Sequence, residues 1–492
     1  AIKHLVSELQ FMATVCVKVS TLAVHLASRG APDEHALSSH FSVQRADCGN
    51  YESSHDVTFI GVTSSQTASV HHTFRFHRPK KMSYSVNLIS CGLEDVAVVS
   101  CPETSLFVHN YLRHTHFIKS LIEISPAGST AFNKTITFNI PKHADLMTYL
   151  WLVVVRPGIE PDRANGCRAV YWTNAWAHAL INRMDFLIGA HTAETRYGEY
   201  MEIYDEITYN FNQSRAEFTG QRYTVAQLKQ DSMSDKRLYI DTQFWFTKNP
   251  GLALPLLCVA LQSVRLQLYT RSLSELVVCE GNRFAAPLRV GQKQTVRDSD
   301  ICMTAYAEVI YLTSDERDAI LERENEFLFE QVQTTGPISY NASGSSGACV
   351  IRVPLDFCHL IRSIYWTVQQ ECKNDANNWF AYDGIGGQDP VVSVDLKLNN
   401  TSMFQQKEGS YFRLVEYRQT ERLIPMKYIY KKSFDLKSWS TQPTGHINFT
   451  RLENNSLNLV LQPNIGPVCV TVWARGWNCM RFCNGVGGPL FN

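Results

Sequence analysis

Hydrophobic and polar positions alternate with a period of two along most of the chain beyond residue 105. Thr135–Ile140 alternates cleanly, Leu150–Val155 is apolar enough for a core strand, and Met184, Phe186 and Ile188 alternate into Gly189. Alternation marks a half-buried strand, and a short continuous apolar run marks one buried on both faces. The same reading predicts strands at Phe107–Phe117, Met303–Tyr311, Phe327–Val332, Val350–Phe357, Ile361–Val368, Val391–Leu398, Tyr428–Phe434, Ile447–Arg451, Leu457–Gln462 and Val468–Trp473. Pro157-Gly158, Asn165-Gly166, Gly384–Gly387 and Glu453–Asn455 are turn signals. Helical spacing is confined to three short segments. Tyr171–Asn182 has Thr173 or Asn174 as its cap, Gly198–Ile207 follows, and Thr313–Arg323 pairs Thr313 with Glu316 at capping-box spacing. Many short strands with few helices predict an all-β sandwich or jelly-roll architecture.

The stretch Arg237–Arg271 organises the rest. It reads as strand, turn, buried strand, strand. Leu238 and Ile240 alternate with Tyr239, Asp241 and Gln243, and Phe244-Trp245-Phe246 closes an aromatic run that Asn249-Pro250-Gly251 must break. The apolar run Leu252–Leu261 is a strand buried on both faces or a short core segment, and is too short to cross a bilayer.

The segment from Phe244 to Leu268, with its Asn249-Pro250-Gly251-Leu252-Ala253-Leu254-Pro255 core, resembles the central signature of the major capsid proteins of nucleocytoplasmic large DNA viruses. Tyr171–Thr208 is similar to the same family at the expected distance upstream, as are Trp379-Phe380, Lys407–Phe412, Pro443–Arg451 and Trp477–Gly488 downstream. Gly92, Asp95, Pro102, Leu106-Phe107 and Arg113–Phe117 resemble the start of such proteins, so the likeness covers residues 82–492 in colinear order. Cys479, Phe482-Cys483 and Pro489 depart from the family's usual aliphatic or small residues.

The resemblance implies two tandem jelly-roll β-sandwiches with a few short helices in loops and linker. The expected division is an extension over 1–81, an N-terminal arm over 82–105, a first jelly-roll over 106–313, a helical linker over 314–325 and a second jelly-roll over 326–492. It further implies a structural subunit of the virion, assembled in the host cytoplasm. Three chains would form a pseudo-hexagonal tile that touches neighbouring capsomers and minor capsid proteins. Such tiles would enclose an internal viral membrane and a DNA genome.

Composition adds constraints. At 492 residues the chain can bury a large core. Its 46 basic and 46 acidic residues leave no formal net charge, which argues against electrostatically driven or sequence-specific nucleic-acid binding. Fourteen scattered cysteines are not a disulfide framework, and Cys479 and Cys483 lie too far apart along a strand for an easy bridge. Reduced buried thiols favour the cytosol. In that compartment the seven Asn-x-Ser/Thr sequons at Asn133, Asn212, Asn341, Asn399, Asn400, Asn448 and Asn454 carry no glycans.

A search for chemistry returns no catalytic, cofactor-binding or metal site. His178, between Ala177 and Ala179, reads as a hydrogen-bonded packing residue. His114 and His116 share a strand face but lack a third ligand. Gly384-Ile385-Gly386-Gly387 lacks the strand–helix context of a phosphate cradle. The acid-rich run Glu194–Glu206 reads as a solvated or interface face. Two other classes compete with a capsid subunit. A glycan-binding sandwich would use an outward loop such as Ser339–Ala348, but the aromatic residues fall mostly in strand patterns, which favours packing. A cupin-type enzyme would need a histidine-rich metal motif that residues 82–492 do not carry.

Residues 1–81 look foreign to the rest. Eight of the 16 histidines and none of the nine tryptophans fall there, and Lys18, Ser20, Thr21 and His25 interrupt the apolar stretch Phe11–Ala27 that a signal peptide or anchor would need. The plain reading is a poorly specified extension; the sharper one is translated upstream sequence. Peptide mapping of assembled particles by mass spectrometry is expected to return no abundant peptide from 1–81, and finding such peptides would refute that sharper reading.

Overall fold

A strand with one apolar face needs a second sheet to cover it, and the chain solves this twice. The computed structural model describes residues 114–491 apart from 209–214, 282–285 and 343–348. The first set of strands is β1 Phe117–Ile124, β2 Thr135–Ile140, β3 Leu146–Arg156, β4 Ile181–Ile188, β5 His191–Tyr197, β6 Lys236–Asp241, β7 Val264–Thr270 and β8 Cys302–Leu312. They form two facing sheets in the orders β1-β8-β3-β6 and β2-β7-β4-β5. The second set is β9 Asn325–Thr334, β10 Cys349–Pro354, β11 Leu360–Gln370, β12 Val391–Leu398, β13 Thr401–Ser402, β14 Ile429–Ser433, β15 Ser456–Leu461 and β16 Gly466–Cys483. Its sheets run β9-β16-β11-β14 and β10-β15-β12-β13. The second order is the first with eight added to every label, so the topology repeats strand for strand. The pairings are antiparallel throughout. The fold is the expected pair of all-β jelly-rolls.

Register explains the core. Leu266 of β7 stands opposite Phe138 on one side and Phe186 on the other, and all three are fully buried. The Phe186 ring then meets Phe244, Trp245 and Phe246 at 5.1–5.6 Å between centroids. The second core is built the same way from Trp366, Val394, Leu459, Val470 and Val472. The connector is a helix over Ser314–Leu321. It is tied down by Arg317, 3.0 Å from Asp145, whose other oxygen accepts the Leu312 N–H at 2.8 Å.

Several local expectations need correction. β6 ends at Asp241, Gln243 turns the backbone at φ 54, and Trp245–Lys248 is a helical turn rather than a strand end. Leu252–Leu261 is not a strand but the core-segment alternative. Asn249 accepts the Gly251 N–H, Leu254–Pro255 pair briefly with β3, and Leu256–Val259 is a 3-10 turn. Pro250 and Pro255 lack donors, so no ladder runs through this stretch, and turns bury its apolar side chains instead. Tyr171–Asn182 splits into the end of a strand, Cys167–Trp172, and the five-residue helix α1, Trp176–Leu180. Its cap is Ala175 at φ 50, because Asn174 turns its side-chain oxygen to the N–H groups of Ala175 and Arg222. Thr313 caps the connector helix by backbone alone, without the capping-box bond to Glu316. The strand expected at Phe107–Phe117 begins only at Phe117; His114–His116 precede it, and 107–113 lie outside the described residues. Ile447–Arg451 is two strand residues and a 3-10 turn. Val468–Trp473 is one part of the 18-residue β16.

Phe186→Ala is expected to cost about 3–5 kcal/mol, since it removes a ring at the meeting point of both sheets and the aromatic turn; urea unfolding of the purified chain checks this.

Candidate assembly site at the junction of the sandwiches

Two sandwiches linked by a short helix could swing independently unless their walls were locked. The outer face of the sheet β9-β16-β11-β14 supplies the lock. Trp473 of β16 and Tyr365 of β11 are direct cross-strand neighbours there. Tyr197, at the end of β5, and Tyr200, in the helix α2 over Gly198–Thr208, lie on Trp473 at 5.4 and 5.7 Å. Trp245 meets Phe329 of β9 at 5.2 Å. Gly198 makes this possible: a Cβ there would collide with the carbonyl oxygens of His178 and Ile181, so only glycine lets α2 leave β5 against α1 and β4.

Charges close the same junction. Glu330 on β9 receives Lys248 of the first sandwich at 3.0 Å and Arg475 of β16 at 2.7 Å, with Arg362 of β11 as a third partner. Burial alone would raise its pKa, but these cations outweigh burial and hold the carboxyl well below the usual range. Lys431 pairs with Glu421 at 2.8 Å. Burial pulls both the Lys248 and Lys431 amines down to about 8. A second cluster centres on Glu202 of α2. Its carboxylate meets Lys427 of the second sandwich, Arg215 at 3.4 Å, and the His178 Nδ1 at 2.8 Å. Those partners outweigh burial and keep Glu202 ionised. Asp205 lies 3.7 Å from the His178 Nε2 and accepts a bond from the Gln243 amide at 2.7 Å. Burial dominates there and pushes its pKa up to about 7.

His178 is therefore a hydrogen-bonded packing residue, as its context predicts. The run Glu194–Glu206 is not solvated: Glu194, Glu202, Asp205 and Glu206 are all buried, and the interface they serve lies between the sandwiches. Glu194 is paired with Arg196, two residues along on the same face of β5, and Glu206 with Arg215, whereas Lys427, which meets Glu202, comes from the second sandwich, which the charge pattern of one segment cannot reveal.

A cavity of about 330 Å³ sits at the same junction, lined among others by Glu199, Arg271, Thr367, Trp379, Tyr382 and Thr471. Arg271 lies over the Trp379 ring at 4.1 Å and donates to the Ala179 carbonyl at 2.7 Å. The Cys469 thiol in its wall is pushed up to about 11 by burial, which keeps it protonated near neutrality. His114 and His116 are exposed ahead of β1 rather than sharing a strand face, and no group of three metal-ligating side chains occurs among the described residues. Cys479 and Cys483 are both free. Gly384–Gly387 forms a 3-10 turn with the Gly387 carbonyl accepting from the Tyr428 hydroxyl.

Comparisons with known proteins agree with this geometry. A family model for the N-terminal part of major capsid proteins matches residues 105–313, and one for the major capsid protein of large eukaryotic DNA viruses matches 316–488. The chain belongs to this family. It is 26% identical to the major capsid protein of Pyramimonas orientalis virus, covering 83% of this chain and 98% of that one. It is 25% identical to the major capsid protein of Paramecium bursaria Chlorella virus 1, covering 82% and 98% respectively. Its fold matches a quasi-atomic model of the PBCV-1 virus capsid with a TM-score of 0.66 at 21% identity, over 79% of this chain and all of that one. The Faustovirus major capsid protein gives 0.62 at 11% identity, over 79% and 94%. Capsid proteins of this family are structural, not enzymatic.

Two measurements probe the junction. Glu330→Gln removes the carboxylate that Lys248, Arg362 and Arg475 share, leaving Arg362 its Asp435 partner at 2.7 Å and Arg475 only Glu421 at 3.9 Å, and is expected to cost about 3–5 kcal/mol in urea unfolding. Asp205 has a folded pKa near 7, above the unfolded value of about 3.9, so its contribution is fully present below pH 4 and lost as pH rises through 7. Asp205→Asn is expected to flatten stability against pH over that window and to raise stability at pH 8 by roughly 2–4 kcal/mol relative to wild type.

Proposed function

We propose that this capsid protein works as a homotrimer whose six jelly-rolls make one pseudo-hexagonal tile of an icosahedral shell. Capsid proteins of the family assemble with themselves, and the virion is where this one belongs. The observation that carries the finer reading is the repeated strand order β1–β8 and β9–β16, held side by side by buried aromatic and charged contacts. Two equivalent walls per chain, repeated by a threefold axis, present six similar edges to neighbouring tiles, and a cyclic arrangement of head-to-tail interfaces closes after three copies. Zero net charge lowers repulsion between closely packed copies. The same neutrality suits a subunit that meets other capsomers, minor capsid proteins and an internal viral membrane rather than gripping the genome. Assembly takes place in the host cytoplasm, where the free thiols of the described residues stay reduced.

Sedimentation of the full chain at micromolar concentration is expected to give three times the 55.8 kDa chain mass; a stable monomer would overturn the reading.

A further inference from the structure

The junction between the sandwiches is filled along only part of its length. On the outer face of β9-β16-β11-β14, three cross-strand pairs follow one another: Tyr365 with Trp473, Thr367 with Thr471, and Gln369 with Cys469. Tyr197 and Tyr200 of the first sandwich cover Trp473. The next two pairs are small or polar, and there the walls part to leave the cavity of about 330 Å³. The first sandwich contributes Asn182 at the start of β4, Glu199 at the start of α2 and Arg271 just after β7, and Trp379 and Tyr382 complete the lining.

The polar groups of this cavity are fixed before anything enters it. Arg271 is buried and donates to the Ala179 and Ile181 carbonyls at 2.7 and 3.2 Å. It lies over the Trp379 ring and turns its other amino group to Glu199 at 3.4 Å. The Trp379 indole N–H is held by the Glu275 carbonyl at 2.8 Å. Thr367 and Thr471 are buried as well. Tyr382 is 3% exposed, and among the described residues its hydroxyl has no hydrogen-bond partner. Burial and the nearby Glu199 carboxylate hold that hydroxyl well above its usual pKa, so it stays a donor. A buried donor left unpaired carries a cost that a water or a ligand in the cavity removes.

We propose that the cavity binds a neutral sugar ring, free or at the end of a glycan. At about 30 Å³ per water the space equals roughly eleven waters, enough for a single sugar ring. Charge and polarity decide the class. Among the described lining residues Arg271 is the one cation, and Glu199 and Glu275 are the acids. Two carboxylates against one guanidinium give an anion no attractive field, and walls of hydroxyl, amide and charged groups offer an acyl chain little apolar surface. A sugar hydroxyl is donor and acceptor at once. It matches a lining in which Arg271 and Tyr382 donate, Glu199 accepts, and the threonine hydroxyls do both. The site lies within one chain, so it stands or falls apart from the trimer reading.

The full-length chain and its Tyr382→Phe and Thr471→Val variants are titrated by calorimetry with glucose, galactose, mannose, fucose and xylose, with their methyl glycosides, and with glucuronic acid as the anionic control. At least one neutral sugar is expected to bind with a Kd of about 1 mM, and glucuronate more weakly. Each variant removes one hydroxyl and keeps the side-chain shape. Thermal unfolding is therefore expected to stay unchanged while affinity falls about fivefold, the loss of one hydrogen bond. Binding of a methyl glycoside together with its free sugar supports the end of a glycan as the ligand, and binding of the free sugar alone supports a soluble one. Failure of every neutral sugar to bind, glucuronate binding more tightly than they do, or undiminished affinity in both folded variants would overturn the assignment. Should one variant fail to fold, the other decides.

Discussion

A carboxylate shut away from water is tolerable only beside cations, and Glu330 has three. Two of them, Arg362 and Arg475, belong to its own sheet; the third, Lys248, comes from the turn after β6 in the first sandwich. The ion pair is therefore complete only when the two sandwiches are seated against each other. Lys427 with Glu202 repeats the logic in the opposite direction, with the cation on the second sandwich and the acid on the first. Buried pairs of this kind add little net stability over well-packed apolar groups, because desolvation offsets most of the attraction. What they do is penalise every other seating, since a displaced sandwich would strand charge in a low-dielectric wall. For a structural capsid protein, a defined seating matters more than a few extra kilocalories.

The aromatic contacts work alongside the charges. Tyr197 and Tyr200 can reach Trp473 because Gly198 lets the chain pass from strand into helix without the clearance a side chain would need. That one glycine connects backbone geometry to the junction. It sets where α2 emerges, α2 sets where Glu202 and Asp205 lie, and these acids meet Lys427, Arg215 and His178. Flexible loops would not hold such a chain of contacts; a sheet edge running straight into a helix does.

Much of the fold was legible in the order of residues, and the failures have a common cause. Strands with one wet face announced themselves by alternation: Thr135–Ile140 and Val391–Leu398 fall where the pattern places them. The long β16 was recognised only over Val468–Trp473, because beyond that point it carries the buried Arg475 and Asn478, and buried polar residues break an apolar pattern. Leu252–Leu261 failed the other way, apolar enough for a strand yet punctuated by prolines that forbid a ladder. For the acid run Glu194–Glu206 the sequence left a solvated and an interface face both open, and the structure takes the interface. Charge in a sequence suggests water, and for Glu202 it is Lys427 of the other sandwich that makes it an interior group.

The repeat also constrains how such a chain must behave once folded. Two sheets of one type, with the same strand order and the same Trp–Tyr pair at their centres, meet different surroundings: one is buried at once by its own neighbour, the other still faces outward. Register places Lys119, Glu123, Glu308, Arg237 and Asp241 among Leu121, Tyr149, Trp151 and Tyr306 on the outward wall, so its outer positions mix charge with apolar bulk, as an antiparallel sheet with one wet face allows. One strand order thus carries two kinds of wall, and what separates them lies in the side chains rather than in the topology.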